Sequence, residues 1–195
     1  AGNILGAEQS GHVHAVGFDL YTRLLEDAVA ELRAEQAGQP VKPRADLAQV
    51  SVDLPLEAYI PEDYIEDLPS RLGAYGRLAR AADTEEAVII GEELRDRFGP
   101  PPEPVRNLIY AVRVKALARA ADVESISREG GSIALRLRHG VGGAAPLLQR
   151  ELGDRARVGD ALVRVPVREG WPEALAWTLE QLAAFRDRVL ELAGG

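Results

Sequence analysis

The side chains of this sequence that could carry out chemistry fall into two groups. The first lies near the N-terminus, where His12 and His14 are two positions apart and Glu8 and Ser10 are close by. A metal site needs further ligands and supporting partners, and the remaining histidine, His139, is far away in the sequence. The serine also lacks the strand–turn–helix setting of a catalytic nucleophile. We therefore predict ordinary loop histidines, with no catalytic residue and no metal site.

The second group is acidic and runs from Glu92 to Asp96. On a helix, Glu93 and Asp96 are three positions apart and project from one face, while Glu92 is four positions from Asp96. Neighbouring carboxylates gain most when they meet the planar fork of an arginine. Two interpretations remain open. The carboxylates form a solvated face that pairs locally with Arg95, Arg97 or Arg106, or they form a docking patch for a basic surface on another domain.

Nucleotide hydrolysis is not indicated by the sequence. A phosphate-binding loop needs a lysine that follows a glycine and reaches the phosphates. The sequence has two lysines, Lys42 and Lys115, and both follow a valine. We therefore expect no ATP site and no cofactor in this chain.

Composition narrows the class of protein further. The chain has 195 residues, of which 46% are hydrophobic and 28% charged, which is typical of a folded globular protein. Its net charge of -8 disfavours a dedicated DNA-binding surface, since such surfaces neutralise phosphates with basic residues. It has no cysteine, and no apolar run predicts a membrane span or a secretion signal. Because methionine is also absent, we expect a segment of a longer protein.

The first 36 residues are predicted to form an appendage, which a linker joins to the rest of the chain. Residues 1–17 contain four glycines and have the composition of a loop. Residues 19–36 repeat apolar side chains at three- and four-residue spacing, which predicts an amphipathic helix. Its apolar stripe consists of Leu20, Tyr21, Leu24, Leu25, Ala28, Val29 and Leu32. Residues 37–48 contain two prolines and are the predicted linker.

Residues 49–195 are predicted to form one α+β domain. Pro61 and Pro69 indicate two helical pieces between residues 62 and 82, and Asp83 with Glu86 is a capping signature for the next helix. Period-two alternation predicts strands elsewhere. The remaining predicted helices are 83–97, 103–121, 146–152 and 172–192, and the predicted strands are 50–54, 123–127, 132–138, 155–158 and 161–165. This pattern predicts a small, mainly antiparallel sheet packed by several helices, with an N-terminal loop–helix appendage.

Several short sequence motifs of this chain, in the order in which they occur, resemble one known family. Residues 58–65 (AYIPEDYI), Arg71-Leu72 with Tyr75, and residues 93–99 (ELRDRFG) resemble the C-terminal domain of the bacterial transcription-repair coupling factors, the Mfd family. Residues 2–12 (GNILGAEQSGH) and 16–21 (VGFDLY) are similar to the end of the translocation motif that this family shares with the branch-migration translocase RecG. Together the matches extend to about residue 138, in the order expected for the family.

The resemblance implies a function. Members of the family are ATP-driven translocases on double-stranded DNA that act on stalled RNA polymerase and recruit the repair protein UvrA. Their C-terminal domain is regulatory: it packs on the N-terminal UvrB-like module, hides the UvrA-binding surface and restrains the motor. The resemblance assigns Glu93 and Asp96 to this interdomain docking, and Gln9, Ser10 and Gly11 to the translocation motif. It implies ATP and Mg²⁺ for the parent protein alone, and a cytoplasmic location without membrane contact.

A second function, from a different class, stays open at this stage. In it the domain is an accessory module that contacts nucleic acid, with Arg136, Arg138, Arg155 and Arg157 following the DNA backbone. The negative net charge disfavours this alternative.

Overall fold

The computed structural model describes residues 50–194. The predicted appendage and linker, with Gln9, Ser10 and Gly11, lie outside the described residues. Within this range the chain forms five α-helices and one five-stranded, mostly antiparallel sheet, which confirms the α+β prediction. In chain order the elements are β1 Ser51–Val52, α1 Leu68–Arg80, α2 Thr84–Phe98, α3 Glu103–Ala120, β2 Val123–Glu129, β3 Ser132–Leu137, α4 Ala145–Leu152, β4 Arg157–Val158, β5 Leu162–Pro166 and α5 Trp171–Gly194.

The strand order of the sheet is β1-β2-β3-β5-β4. The edge strand β1 runs parallel to β2, with Ser51 opposite Ser125, and the other neighbours are antiparallel. The β2–β3 hairpin turns at Gly130, whose φ of 57° lies in the left-handed region that glycine adopts without strain. The strands predicted at 123–127 and 132–138 pair as one hairpin, and those predicted at 155–158 and 161–165 pair as another. The strand β4 is shorter than predicted because residues 153–155 form a turn of 3₁₀ helix.

One face of the sheet is covered by helices, as the alternation in β3 predicts. Ile133, Leu135 and Leu137 point into a core with α3, α4 and α5, and each is at most 7% exposed. On the outer face Arg136 is exposed. Ala134 is only 2% exposed although it also lies on the outer face, because it sits between Ser127 and Arg164 of the adjacent strands.

A second hydrophobic core lies between α1, α2 and the first half of α3. The helix α3 contributes to both cores: Val105, Leu108 and Val112 pack with α1 and α2, while Val114 and Ala118 pack with the sheet. Arg119 donates to the carbonyl oxygens of residues 81 and 82, each at 3.0 Å, and so joins the end of α1 to the end of α3. Within residues 50–194, α3 and Arg119 therefore connect the helical layer to the sheet layer.

The segment before α1 differs from the prediction of two helical pieces. Pro61 opens a single turn, in which Tyr64 and Ile65 donate to its carbonyl oxygen at 3.2 Å, and the helix begins only at Leu68. Asp67 caps α1 by accepting from the Ser70 N–H at 2.8 Å, and Pro69 lies in the first turn, where its missing N–H costs no hydrogen bond. For the same reason Pro69 does not interrupt the helix.

Candidate docking surface

The helix α2 carries both predicted docking residues, and local interactions define its ends. Asp83 accepts from the Glu86 N–H at 2.9 Å, and the Glu86 carboxylate accepts from the Ala82 N–H at 2.7 Å. This is the reciprocal cap that the sequence predicts. At the other end Gly99, with φ 87°, donates to the carbonyl oxygen of Arg95 at 2.9 Å. The helix is therefore held at both ends without help from its exposed face.

One side of α2 is buried, and this fixes which side chains face outwards. Ala87, Ile90 and Leu94 are at most 4% exposed and pack into the helical core. The opposite side forms a mixed surface that we call the α2 face. Its members are Glu85, Val88, Ile89, Glu92 and Asp96. Val88 is 41% and Ile89 46% exposed, so two large apolar side chains lie among three carboxylates.

Glu93 lies at the margin of this face and is held within the chain. Its carboxylate forms an ion pair with the guanidinium of Arg77 on α1, and both side chains are about half exposed. The hydrogen bond from Arg77 lowers the pKa of Glu93, and the same hydrogen bond raises the pKa of Arg77. Glu93 therefore joins α1 to α2 and stays ionised at neutral pH.

Asp96 has a different environment from Glu93. Its side chain is 74% exposed, and its contact with the Arg95 Nε at 3.7 Å is long for a charge-assisted hydrogen bond. Glu93 and Asp96, which the sequence analysis groups together, therefore have different environments in the structure. Asp96 is open to an external partner, while Glu93 shares its carboxylate with α1. Sequence spacing does not reveal this, because the partner of Glu93 belongs to another helix.

The four arginines of the alternative hypothesis are also separated. Arg138 lies 3.3 Å from the carboxylate of Asp122, and the guanidinium of Arg155 stacks 4.4 Å from the ring centroid of Trp177. Arg136 and Arg157 lie on the outer face of the sheet. Arg164, which the sequence reasoning missed, is directly opposite Arg157 and belongs to the same face. The alternation within β5 was the signal that could have identified it.

Residues 50–194 contain neither a candidate metal site nor a helix that could span a membrane. In this range no group of three or more histidine, aspartate and glutamate side chains could hold a metal ion. None of the helices described is both long and apolar enough to cross a membrane.

Comparison with known proteins identifies relatives. Residues 54–141 match the model of the TRCF domain. Over 131 residues, or 65% of its length, the chain is 42% identical to the transcription-repair-coupling factor of Mycobacterium bovis. Over 137 residues, or 70% of its length, it is 35% identical to that of Bacillus subtilis. Each match spans 11% of the relative, so the chain corresponds to about a tenth of these proteins.

A solved structure has the same fold. The crystal structure of the C-terminal domain of a transcription-repair coupling factor superposes with a TM-score of 0.63. The superposition covers 72% of this chain and 95% of that domain, at 19% sequence identity.

Proposed function

Residues 54–141 belong to the TRCF domain family, and on that premise we propose that this chain is the regulatory C-terminal domain of a cytoplasmic DNA translocase that couples transcription to nucleotide excision repair. The domain acts by docking on the N-terminal UvrB-like module of the same protein, which masks the UvrA-binding surface and restrains the motor. We expect no active site in this chain. The parent protein uses ATP and Mg²⁺ outside this chain, and its other partners are RNA polymerase and double-stranded DNA.

The observation that carries this proposal is the α2 face. A capped helix presents Asp96 with most of its side chain exposed, on the same face as the exposed pair Val88 and Ile89. Apolar side chains surrounded by charged ones are the arrangement found at protein interfaces, where the apolar centre is buried and the charged rim sets orientation. The partner that fits has arginines around a shallow apolar depression.

The strength of such a contact suits regulation. A charge-assisted hydrogen bond that loses its water on docking contributes about 1–3 kcal/mol, and coupling between sites in regulated proteins is of similar size. Release of one such contact changes the docked population by about 5- to 150-fold. Docking through the α2 face can therefore be reversed by a competing partner.

The proposal is tested by calorimetric titration of the full chain with the separately expressed UvrB-like module of its own parent protein. Because Glu93 is tied to Arg77, Asp96→Asn is the cleaner charge variant, and Ile89→Ala tests the apolar centre. The matched controls are Glu124→Gln on β2 and Leu147→Ala on α4, since Glu124 is exposed and Leu147 is 52% exposed. We expect about a 10- to 100-fold loss of affinity for each α2 variant and no change for the controls.

Equal affinities for the Asp96 variant and its control would move the interface away from α2. The same titration with Glu93→Gln shows whether Glu93 supports α2 or contacts the partner directly. A loss of affinity that accompanies loss of thermal stability assigns Glu93 to the support of α2, while a loss without destabilisation assigns it to the interface.

The outer face of the sheet supports a second candidate, contact with nucleic acid. Arg136, Arg157 and Arg164 project from three neighbouring strands. Their acidic neighbours are weak competitors, since Glu129 lies 3.5 Å from Arg164 and Asp154 lies 3.8 Å from Arg157, all of them well exposed. No aromatic side chain belongs to this face of β2, β3, β4 or β5, so the contact would be with phosphates rather than stacked bases.

Fluorescence anisotropy on a short DNA duplex at several salt concentrations tests this candidate. Three phosphate contacts predict a slope of about -3 in a plot of log K against log salt. Replacement of the three arginines by glutamine should abolish both the binding and the slope. Weak binding with a flat slope, unchanged in the triple variant, would eliminate the candidate.

A further inference from the structure

The three carboxylates of the α2 face lie in one row along the helix. Glu85, Glu92 and Asp96 are seven and four positions apart, which places them on one line about 16 Å long. Val88 and Ile89 lie on either side of this line and are 41% and 46% exposed. The face therefore combines a row of negative charge with apolar side chains, and a matching surface should combine positive charge with apolar side chains.

The outer face of the sheet carries such a surface, with three exposed arginines on neighbouring strands. Arg157 is directly opposite Arg164, which in turn is opposite Ala134. Arg136 lies two positions beyond Ala134 on the same side of the sheet. From the spacing of strands and residues, the Cα atoms of the three arginines span roughly 12 Å. Leu162, which is half-buried, lies opposite Arg136 in the register, so an apolar side chain is present among the arginines.

The carboxylates and the arginines have similar spacings. Residues four apart on a helix have Cβ atoms about 5–6 Å apart, and directly opposed residues on antiparallel strands have Cβ atoms about 4.5–5.5 Å apart. Asp96 and Glu92 can therefore face the opposed pair of arginines on β4 and β5 at the same time. Glu85 then lies towards Arg136, and the length of an arginine side chain accommodates the remaining difference in spacing. The apolar side chain among the arginines favours a protein surface over a DNA backbone as the partner.

We propose that the α2 face of one chain docks on the outer face of the sheet of a second copy of the chain. The α2 face lies opposite the helical core, and the outer face of the sheet lies opposite the core with α3, α4 and α5. Each surface therefore points away from its own molecule, and the two meet only between molecules. Because the surfaces differ, the contact is heterologous and leaves one free surface of each kind on every pair.

The contact is weak and reversible, and it competes with other uses of the α2 face. At physiological ionic strength the Debye length of about 8 Å screens the repulsion between two chains of net charge -8, while ion pairs within the interface persist. An interface of this small size corresponds to a dissociation constant on the order of 10–100 μM. Self-association covers Asp96 and so competes with the proposed docking function, but it does not rest on that function.

Two complementary variants of the full chain test the proposal by sedimentation velocity. The first combines Ile89→Ala with Asp96→Asn and keeps the outer face of the sheet, while the second replaces its three arginines by glutamine and keeps the α2 face. We expect each variant alone to associate at least roughly tenfold more weakly than the parent chain. An equal mixture should form a one-to-one complex that grows no further, because only one pair of intact surfaces remains. The control Glu124→Gln with Leu147→Ala should associate like the parent chain.

Each other result would overturn the proposal. A parent chain that stays monomeric up to about 500 μM has no such contact. Association that persists in either variant alone assigns the contact to other surfaces. A mixture that stays monomeric while the parent chain associates excludes the head-to-tail arrangement, provided that circular dichroism shows both variants to be folded. Because this experiment uses the chain alone, its failure is distinct from a failure to bind the UvrB-like module.

Discussion

Replacement of Tyr75 by phenylalanine should destabilise the domain more than the loss of one hydroxyl group suggests. The Tyr75 hydroxyl oxygen accepts a hydrogen bond of 2.6 Å from the backbone N–H of Ile60. Tyr75 is 6% exposed and Ile60 3%, so water has little access to either group. The substitution keeps the aromatic ring but leaves a buried N–H without its acceptor. Such a group costs about 1–3 kcal/mol of folding free energy.

The control is Tyr64→Phe, which removes a hydroxyl group in a more accessible setting. Tyr64 donates to the carbonyl oxygen of Gly99 at 3.0 Å, and this part-buried oxygen can accept from water instead. We expect this substitution to cost about 0.5–1.5 kcal/mol, the net value of an ordinary hydrogen bond. For a domain of this size, the Tyr75 variant should melt about 2–10 °C below the parent chain.

Urea unfolding followed by circular dichroism measures both changes as shifts of the midpoint at constant m-value. Equal losses in the two variants, or a loss below about 0.5 kcal/mol for Tyr75→Phe, would refute the reasoning, because Ile60 would then have another partner. The result bears on function, since this hydrogen bond holds the segment before α1 against the helical layer that carries the α2 face.

Three further predictions concern the same helical layer. Gly91→Val should destabilise the domain by about 1–3 kcal/mol, because a Cβ at Gly91 would already meet Ile109 Cδ1 at 3.0 Å. Gly73→Ala should instead stabilise α1 by about 0.5–1 kcal/mol, because the space around Gly73 is open. The midpoints of urea unfolding distinguish the two outcomes. Asp83→Ala should lower the free energy of unfolding by about 0.5–2 kcal/mol, because α2 loses its N-terminal cap. The same urea unfolding measures this loss, and Glu85→Ala is the control because Glu85 does not cap the helix. Arg77 lowers the pKa of Glu93 in the folded state, so the stability that Glu93 contributes is complete above its unfolded pKa of about 4.3 and is lost as the pH falls through the lower folded value. Glu93→Gln should therefore lower the free energy of unfolding at neutral pH and leave it unchanged at a pH below the folded pKa of Glu93. An identical loss of stability at both pH values would contradict this account.

Local signals in the sequence predicted the fold well wherever a short stretch determines its own structure. The reciprocal cap of Asp83 and Glu86, the stop at Gly99 and the turn at Gly130 are each visible within a few residues and are present in the structure. Pro61 was misread because a proline suits a tight turn as well as the first turn of a helix. The outcome there depends on Ile60 and Ile65, which are both buried in the helical core on either side of the turn.

Contacts between distant residues could not be predicted in this way. The spacing of Glu93 and Asp96 describes one helix, but the difference between them comes from Arg77, which lies sixteen positions before Glu93 on another helix. Similarly, Arg138 and Arg155 were grouped with Arg136 and Arg157 by charge alone. Their partners, Asp122 and Trp177, come from the turn before β2 and from α5.

The helix α3 has a mechanical consequence because its two halves belong to different cores. At 18 residues it is about 27 Å long, and it is the main continuous element between the helical layer and the sheet in the described part of the chain. A load applied to the α2 face enters α3 along several turns and leaves through Val114 and Ala118 into the sheet. Such a load breaks the contacts between α3 and the two cores at the same time, and not one after another. The domain should therefore unfold under tension in a single step, and the force required should depend on how tightly α3 packs in the two cores.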